Sequence, residues 1–290
     1  MASQNILIVI PTRGRPERLD ALLANFDRLA LEAIALRVAV VDNNDAPLLR
    51  ATCEAHAPSG YELLYRHEAV PGVSRARNTG WRLAAQGELV VFVDDDMVLP
   101  PDFARQVALV AAAHPDAQLI GGRVELADDR DLSVSISLKE GIERYRRPQK
   151  IFGFLHSNAL IVRQPALRTL GGFDERLGPG NRTMAAEDSD LCYRADRAGM
   201  GIVYDDRLLS YHDHGRRGDD EERKILTAYL VGQGAFLAKH APRDPALLKR
   251  VWWRLRDRSR REDRLESGTP WQAPYVKSLA SGALAYILRR

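Results

Sequence analysis

Cysteine is almost absent from this chain of 290 residues, with only Cys53 and Cys192. Both fall in stretches of helical spacing, which predicts two reduced, packed thiols and excludes a disulfide scaffold or a thiolate metal site. Long apolar runs are also missing. No stretch reaches the ~20 residues needed to cross a bilayer. Residues 1–5 carry no basic leader before the short apolar run that stops at Pro11, so no signal peptide is expected. Excess charge of one sign is lacking too: 42 Lys+Arg against 39 Asp+Glu leave +3, too little to argue for nucleic acid. What remains is an ordinary globular composition, 45% hydrophobic and 28% charged, enough for one large α/β unit with additions. A cytoplasmic protein is expected, at most peripheral on the inner face of a membrane.

What is there first is an alternation of two periods. Ile6-Leu7-Ile8-Val9-Ile10 is a continuous apolar run, the mark of a strand buried on both faces. Pro11-Thr12-Arg13-Gly14-Arg15-Pro16 breaks it, and Leu19, Leu22, Leu23, Phe26 and Leu29 then recur at helical spacing. The unit repeats. A strand over 38–41 ends in Asp42-Asn43-Asn44-Asp45, a helix is expected over 48–56, a strand over 61–65 and a loop leading into a helix over 71–86. A fourth strand, 89–93, ends in Asp94-Asp95-Asp96. Strands alternating with helices predict a mainly parallel sheet flanked by helices. Beyond 118 the pattern loosens: a strand at 119–124, a polar stretch over 128–150, an apolar return at 152–162, a glycine-containing loop at 178–185, a helix opened by Glu187-Asp188 and a last strand at 202–204. From Glu221 onward the chain reads as helices.

Ligands of open parallel sheets bind outside the carboxyl ends of the strands, and two strands here end in acids. Along an extended chain Asp94 and Asp96 point the same way while Asp95 turns aside. Converging carboxylates repel unless a cation lies between them, and Mg²⁺ or Mn²⁺ binds through one or two carboxylates together with substrate phosphates. The bland alternative is a cap for the helix starting near Pro101. That needs a single acid, and Asp102 stands nearer.

His212 and His214, in Tyr211-His212-Asp213-His214-Gly215-Arg216-Arg217, follow the last strand and are candidates to complete a metal or phosphate site. Arg216 and Arg217 suit diphosphate oxygens, or simply face solvent. For Glu187 and Asp188 two roles stand open: acids favoured in the first turn of a helix, or a general base.

Taken in order, these segments resemble the inverting glycosyltransferases of family 2, which have the GT-A fold. The resemblance rests on the 10–15 segment, Val41-Asp42-Asn43, the 71–80 segment Pro-Gly-Val-Ser-Arg-Ala-Arg-Asn-Thr-Gly, and Phe92-Val93-Asp94-Asp95-Asp96 as a DxD motif. It continues through Gly171-Gly172-Phe173-Asp174-Glu175 and Glu187-Asp188-Ser189-Asp190-Leu191 with Arg194. It implies a GT-A domain over 1–218, with a nucleotide-binding half to about 125 and an acceptor-side half from about 126, followed by a C-terminal helical extension over 219–290.

The same resemblance implies roles. Pro11, Thr12, Arg13 and Asp42 would hold the base and ribose, and Arg77 would lie by the base or diphosphate. Asp94 and Asp95 would serve the nucleotide sugar, with Arg216 on the phosphates, and Asp96 would ligate Mn²⁺ or Mg²⁺. Either His212 or His214 would be a further ligand, and Asp188 the general base with Glu187 beside it. The donor implied is a nucleoside diphosphate sugar, UDP-sugar by default, used in an inverting single displacement, with the 178–185 loop expected to close over it.

A sugar-nucleotide pyrophosphorylase would carry a glycine-rich loop after its first strand, and an NAD-dependent oxidoreductase G-x-G-x-x-G; Gly14 stands alone there. A non-catalytic sugar-nucleotide or glycan-binding protein would have lost the metal or base carboxylates, and both sets are present. In the C-terminal extension, residues 243–264 hold nine Lys/Arg against four Asp/Glu. That stretch reads as a solvated helical face, as an anionic-lipid contact anchored by Trp252, Trp253, Trp271 and Tyr275, or as a homodimer surface.

Overall fold

The structure is a computed structural model that describes residues 4–147, 151–249, 251–252, 263–264, 267, 270–271 and 274–288. Trp253 and most of the basic stretch over 250–264 lie outside these residues.

The chain opens with β1 (Gln4–Thr12), α1 (Pro16–Phe26), β2 (Ile34–Asp42), α2 (Arg50–Ala55), β3 (Glu62–His67), α3 (Val73–Trp81), β4 (Leu89–Val93) and β5 (Met97–Val98). It continues with α4 (Phe103–Ala113), β6 (Ala117–Leu126), β7 (Ile142–Arg144), β8 (Ala159–Arg163), α5 (Gln164–Leu170) and α6 (Glu187–Arg197). Then come β9 (Gly201–His212), α7 (Asp219–His240) and α8 (Tyr275–Ile287).

Strands β1 to β9 form one mixed sheet in the order β3-β2-β1-β4-β8-β6-β9-β5, with β7 on β9. β3, β2, β1 and β4 are parallel neighbours, as are β6 and β9, whereas β8 runs antiparallel between β4 and β6. The apolar run of β1 is fully buried because helices cover both faces. Ile6, Ile8 and Ile10 join the cluster under α1 and α4, and Leu7 and Val9 join the one under α3, α5 and α6. Gly80 lets α3 lie directly on β1, since a Cβ there would overlap Val9. Cys53 and Cys192 are buried and unpaired.

β7 and β9 are among the elements that differ from the expectation, as is a short antiparallel pairing of residues 263–264 with 270–271 in the stretch read as helices. The polar stretch after residue 128 contributes β7, which hides in the sequence because Ile142-Glu143-Arg144 is too short to show a period. The last strand is twelve residues long rather than three. Asp205 and Asp206 interrupt its apolar pattern, yet Asp205 is fully buried and paired with His114 at 2.8 Å and with Arg207, beside a register shift against β6. The strand therefore runs on to His212, which sits opposite Met97 of β5.

The C-terminal helices are fastened to α6. Asp190 on α6 is buried and accepts from Lys239 at 2.6 Å, His240 at 2.7 Å and Arg194 at 2.8 Å. Lys239 also meets Asp174 at 2.8 Å, so the end of α7 is locked to the helix that opens with Glu187-Asp188.

Candidate active site

The carboxyl ends of β1, β2 and β4, the N-terminus of α6 and the end of β9 meet at one side of the sheet. Strand β4 stops at Val93 and the chain turns, with Met97 N–H donating to the Asp94 carbonyl at 3.3 Å. Two-residue alternation therefore does not carry through the acidic triplet. Asp95 and Asp96 share one partner, Arg15 Nη1, at 2.7 and 3.2 Å, while Asp94 is drawn away to Arg77 Nη2 at 2.7 Å. Asp95 accepts a further 2.7 Å bond from the buried Thr12 hydroxyl, fixing the end of β1 against the turn. Its carboxyl is raised by burial, which outweighs the opposing charge of Arg15. Pro11 is buried beside Thr12, and Arg13 is exposed and paired with Asp45 at 3.1 Å.

Asp42 is fully buried and occupied within the protein. Asn44 N–H and Leu49 N–H donate to it at 3.1 and 2.7 Å, and the Tyr65 hydroxyl at 2.9 Å. Its neighbour Asn43 ties the 68–72 segment in place, donating to the Glu68 and Val70 carbonyls and accepting from Gly72 N–H, each at 2.8 Å.

Arg77 is the largest fully buried side chain, 1% exposed. It projects from α3 and joins Asp94 to Glu187 Oε1 at 3.0 Å, so one guanidinium links the end of β4 to the start of α6. Phe173 lies against its cationic face at 5.5 Å. Glu187, nearly enclosed, has its carboxyl pushed up to about 7 by burial and by the charge of Asp188, against the pull of Arg77. Asp188 is likewise raised by burial. Its hydrogen bonds, from Ser189 N–H at 2.5 Å and Ser189 Oγ at 3.2 Å, both fall on Oδ1. Helix α6 starts from Ala186 in the left-handed region (φ 78°), preceded by Met184 at φ 65°. Non-glycine residues held there cost on the order of 1 kcal/mol each and persist only where the surroundings fix them.

The surroundings do fix them. In the 178–185 loop, expected to close over the donor, Thr183 Oγ1 donates to the Arg176 carbonyl at 2.6 Å, Asn181 Nδ2 donates to the Leu177 carbonyl at 3.0 Å and Pro179 accepts from Val73 N–H at 3.0 Å. Tyr229 of α7, hydrogen-bonded to Ser135 at 2.7 Å, lies close enough to feel the charges of Asp188, Arg216 and Glu187.

The two histidines separate cleanly. His212 Nε2 lies 3.3 Å from Asp96 Oδ1, and its buried Nδ1 has no hydrogen-bond partner. His214 uses both ring nitrogens elsewhere: Nδ1 accepts from Arg216 N–H and Nε2 donates to the Leu132 carbonyl, each at 2.9 Å. Burial tends to raise the Asp96 carboxyl, but the hydrogen bond and charge of His212, with Arg15 and Arg216, hold it well below the usual carboxylate range. Arg216 thus stands within electrostatic reach of Asp96, whereas Arg217 is spent on Asp131 and Asp128 at 2.7 and 2.8 Å. Among the described residues no group of three or more His, Cys, Asp or Glu side chains is arranged to hold a metal ion. Asp96 and His212 offer two ligands side by side, a carboxylate oxygen and an imidazole nitrogen. That set fits Mn²⁺, or Mg²⁺ with phosphates and water filling the remaining positions.

Arg15, Asn43 and Tyr229 join the candidate site without a role implied by the sequence. Arg15 and Asn43 stand inside its motifs; Tyr229 lies on a helix whose sequence shows nothing to mark it.

Known proteins bear on this geometry. A pre-mycofactocin glycosyltransferase of Mycobacterium tuberculosis, found in strains CDC 1551 / Oshkosh and ATCC 25618 / H37Rv, is 30% identical over 248 residues, 82% of this chain and 48% of the relative. The chain thus spans about half the length of the relatives it matches. Among solved structures, residues 1–349 of S. aureus TarS in complex with UDP superpose with a TM-score of 0.56 at 17% identity, over 79% of this chain and 65% of that one. The mannosyltransferase PcManGT of Pyrobaculum calidifontis, in complex with GDP-Man and Mn²⁺, gives 0.55 at 18%, over 98% and 74%. These likenesses identify the mixed, mostly parallel sheet with its flanking helices as the GT-A fold. The family described as "Glycosyl transferase family 2" matches residues 7–171, more than half of the 290, and the chain belongs to that family.

Proposed function

We propose that this chain is a metal-dependent inverting glycosyltransferase that moves a sugar from a nucleoside diphosphate onto an acceptor hydroxyl. The observation that carries the reading is the bridge Asp94–Arg77–Glu187 through the buried Arg77, which ties an acid-lined helix start to the strand end that carries Asp96 and its partner His212. Asp96 and His212 would hold Mn²⁺ or Mg²⁺, which supplies positive charge to the departing diphosphate. His214, with both ring nitrogens engaged, serves the loop instead.

Arg216 and Arg15 add cationic charge where the diphosphate leaves. Pro11, Thr12 and Arg13 form the shelf for base and ribose. Asp42, occupied by Asn44, Leu49 and Tyr65, shapes that pocket by holding the turn. Asp94, oriented by Arg77, faces the ribose or sugar. Asp188 takes the proton from the acceptor hydroxyl as its oxygen bonds to the anomeric carbon, while the bond from that carbon to the diphosphate oxygen breaks on the opposite face. The configuration at the carbon is inverted. Glu187, paired with Arg77, raises the basicity of Asp188 through its charge.

A uridine diphosphate sugar is the first donor to test, because TarS has been solved with UDP and with UDP-GlcNAc. A guanosine donor is second, because PcManGT was solved with GDP-Man. The experiment is thermal shift against nucleoside diphosphates with and without Mn²⁺, on the native chain and on Asp96→Asn. Stabilisation by one nucleotide that needs the metal and disappears in the variant is the expected result. Stabilisation indifferent to metal and to the substitution would sink the metal-dependent reading.

A further inference from the structure

Helix α8 has two unlike faces. Ser278, Gly282 and Tyr286, spaced four apart, are buried. The helix backbones nearly touch: a Cβ on Gly282 would overlap the Val231 carbonyl, and one on Gly234 of α7 would overlap the Leu279 carbonyl. Tyr286 is further held by the Asp174 carboxylate at 2.9 Å. The rotation of α8 is therefore fixed, and its other face is presented outward. That face is apolar. Val276, Leu284, Ile287 and Leu288 are 58%, 56%, 61% and 70% exposed, with Ala280 completing the helical stripe. In the segment before α8, Leu248 and Trp252 are also exposed.

Charge indicates what covers this face. Residues 241–290 contain twelve Lys/Arg against five Asp/Glu, a net +7, whereas the whole chain carries +3, so the first 240 residues carry −4. Lys277 opens the helix beside Val276, and Arg289-Arg290 follow Leu288 in the sequence. A second copy seated on this face would bring together two helices that are each flanked in sequence by cationic residues. An anionic surface would complement them. No helix among the described residues is long and apolar enough to cross a membrane, so the fit is to lying on a surface, with leucine and isoleucine side chains entering the lipid and basic side chains at the headgroups.

We propose that the outward face of α8 docks the protein on an anionic lipid bilayer. The inference is independent of the reaction assigned to the active site. The test uses the full chain with vesicles of phosphatidylglycerol or of phosphatidylcholine, in co-sedimentation at low and high salt. Expected is binding to the anionic vesicles, weaker by about tenfold on the neutral ones and reduced by salt. A variant carrying Leu284→Ser, Ile287→Ser and Leu288→Ser should lose about tenfold or more of that binding while keeping its helicity and melting temperature.

As a second measurement, an environment-sensitive fluorophore on Leu284→Cys should shift to the blue on anionic vesicles. Cys53 and Cys192, being buried, leave the new thiol as the one to label. Absence of binding at low salt, undiminished binding by the triple variant, or an unshifted fluorophore overturns the proposal. So does sedimentation showing a native dimer that the triple variant converts to monomer, which would give the face to a second copy instead.

Discussion

Arg77 meets Glu187 at 3.0 Å inside the protein, and its other terminal nitrogen holds Asp94 at 2.7 Å. Arg77 and Glu187 are thereby taken out of water together, with the half-buried Asp94 as the second acid, on a separate element. Such an arrangement is stable only as a set: removing the cation leaves two carboxylates facing each other without compensation. Arg77→Met is expected to lose about 3–5 kcal/mol of unfolding free energy at pH 8. The loss should be smaller at pH 5, where a protonated Glu187 no longer needs a partner. Urea unfolding at the two pH values measures both. A loss identical at both would show that packing against Phe173, rather than charge, is what Arg77 provides.

Glu187 gives a pH signature of its own. Its carboxyl is raised from an ordinary 4.5 to about 7 in the folded state. Between those values the folded protein holds a proton that the unfolded chain has released, so stability falls as pH rises across the window and is greatest below it. The span corresponds to roughly 3 kcal/mol as an upper figure. In Glu187→Gln this component of the slope should vanish, and chemical denaturation from pH 4.5 to 7.5 compares the two slopes. Equal slopes would remove Glu187 as the titrating group.

The parts of the fold legible in the sequence are those with strong periods. β1, α1 and β4 declare themselves because a fully covered parallel strand must be apolar throughout and a surface helix must show one stripe. β7 and the length of β9 do not, because Asp205 pays for its burial with His114 and Arg207 rather than by being apolar. At the site, Arg77, Asp96, Glu187 and Asp188 can be named from motif order, and they come together. The direction of Asp94 is not legible, because a turn replaces the extended chain and Arg77 lies 17 residues away. Nor is the proposed choice between His212 and His214 as metal ligand, which rests on the pairing of β5 with β9 and on the Leu132 carbonyl.

That choice is testable by contrast. His212→Ala removes a nitrogen beside Asp96, and metal-dependent nucleotide binding should weaken by about 10–100-fold, beyond what the loss of the buried pair with Asp96 costs in stability. His214→Ala strands the Arg216 N–H and the Leu132 carbonyl, and should cost about 1–3 kcal/mol of stability. Titration calorimetry with Mn²⁺ and nucleotide, beside denaturant unfolding, separates the two. Reversed outcomes would move the ligand role to His214.

The assignment of Asp188 as base rests on its place at the first turn of α6, where the hydrogen bonds from Ser189 both fall on Oδ1. A base is needed only once an acceptor hydroxyl attacks. Asp188→Asn should therefore lower kcat by about 10²–10⁴-fold while leaving the affinity for metal and nucleotide unchanged. Burial raises this carboxyl above its ordinary value, so on the proposed reaction kcat/KM of the native chain should fall on the acid side at a higher pH than an exposed aspartate would give. The pair with Glu187 titrates as a unit. Steady-state rates against pH, on the native chain and on Glu187→Gln, are the measurement: Glu187 gains its charge near pH 7, so the upper part of the acid limb should be lost in the variant. A limb that stays fixed would mean that the two acids do not share the reaction.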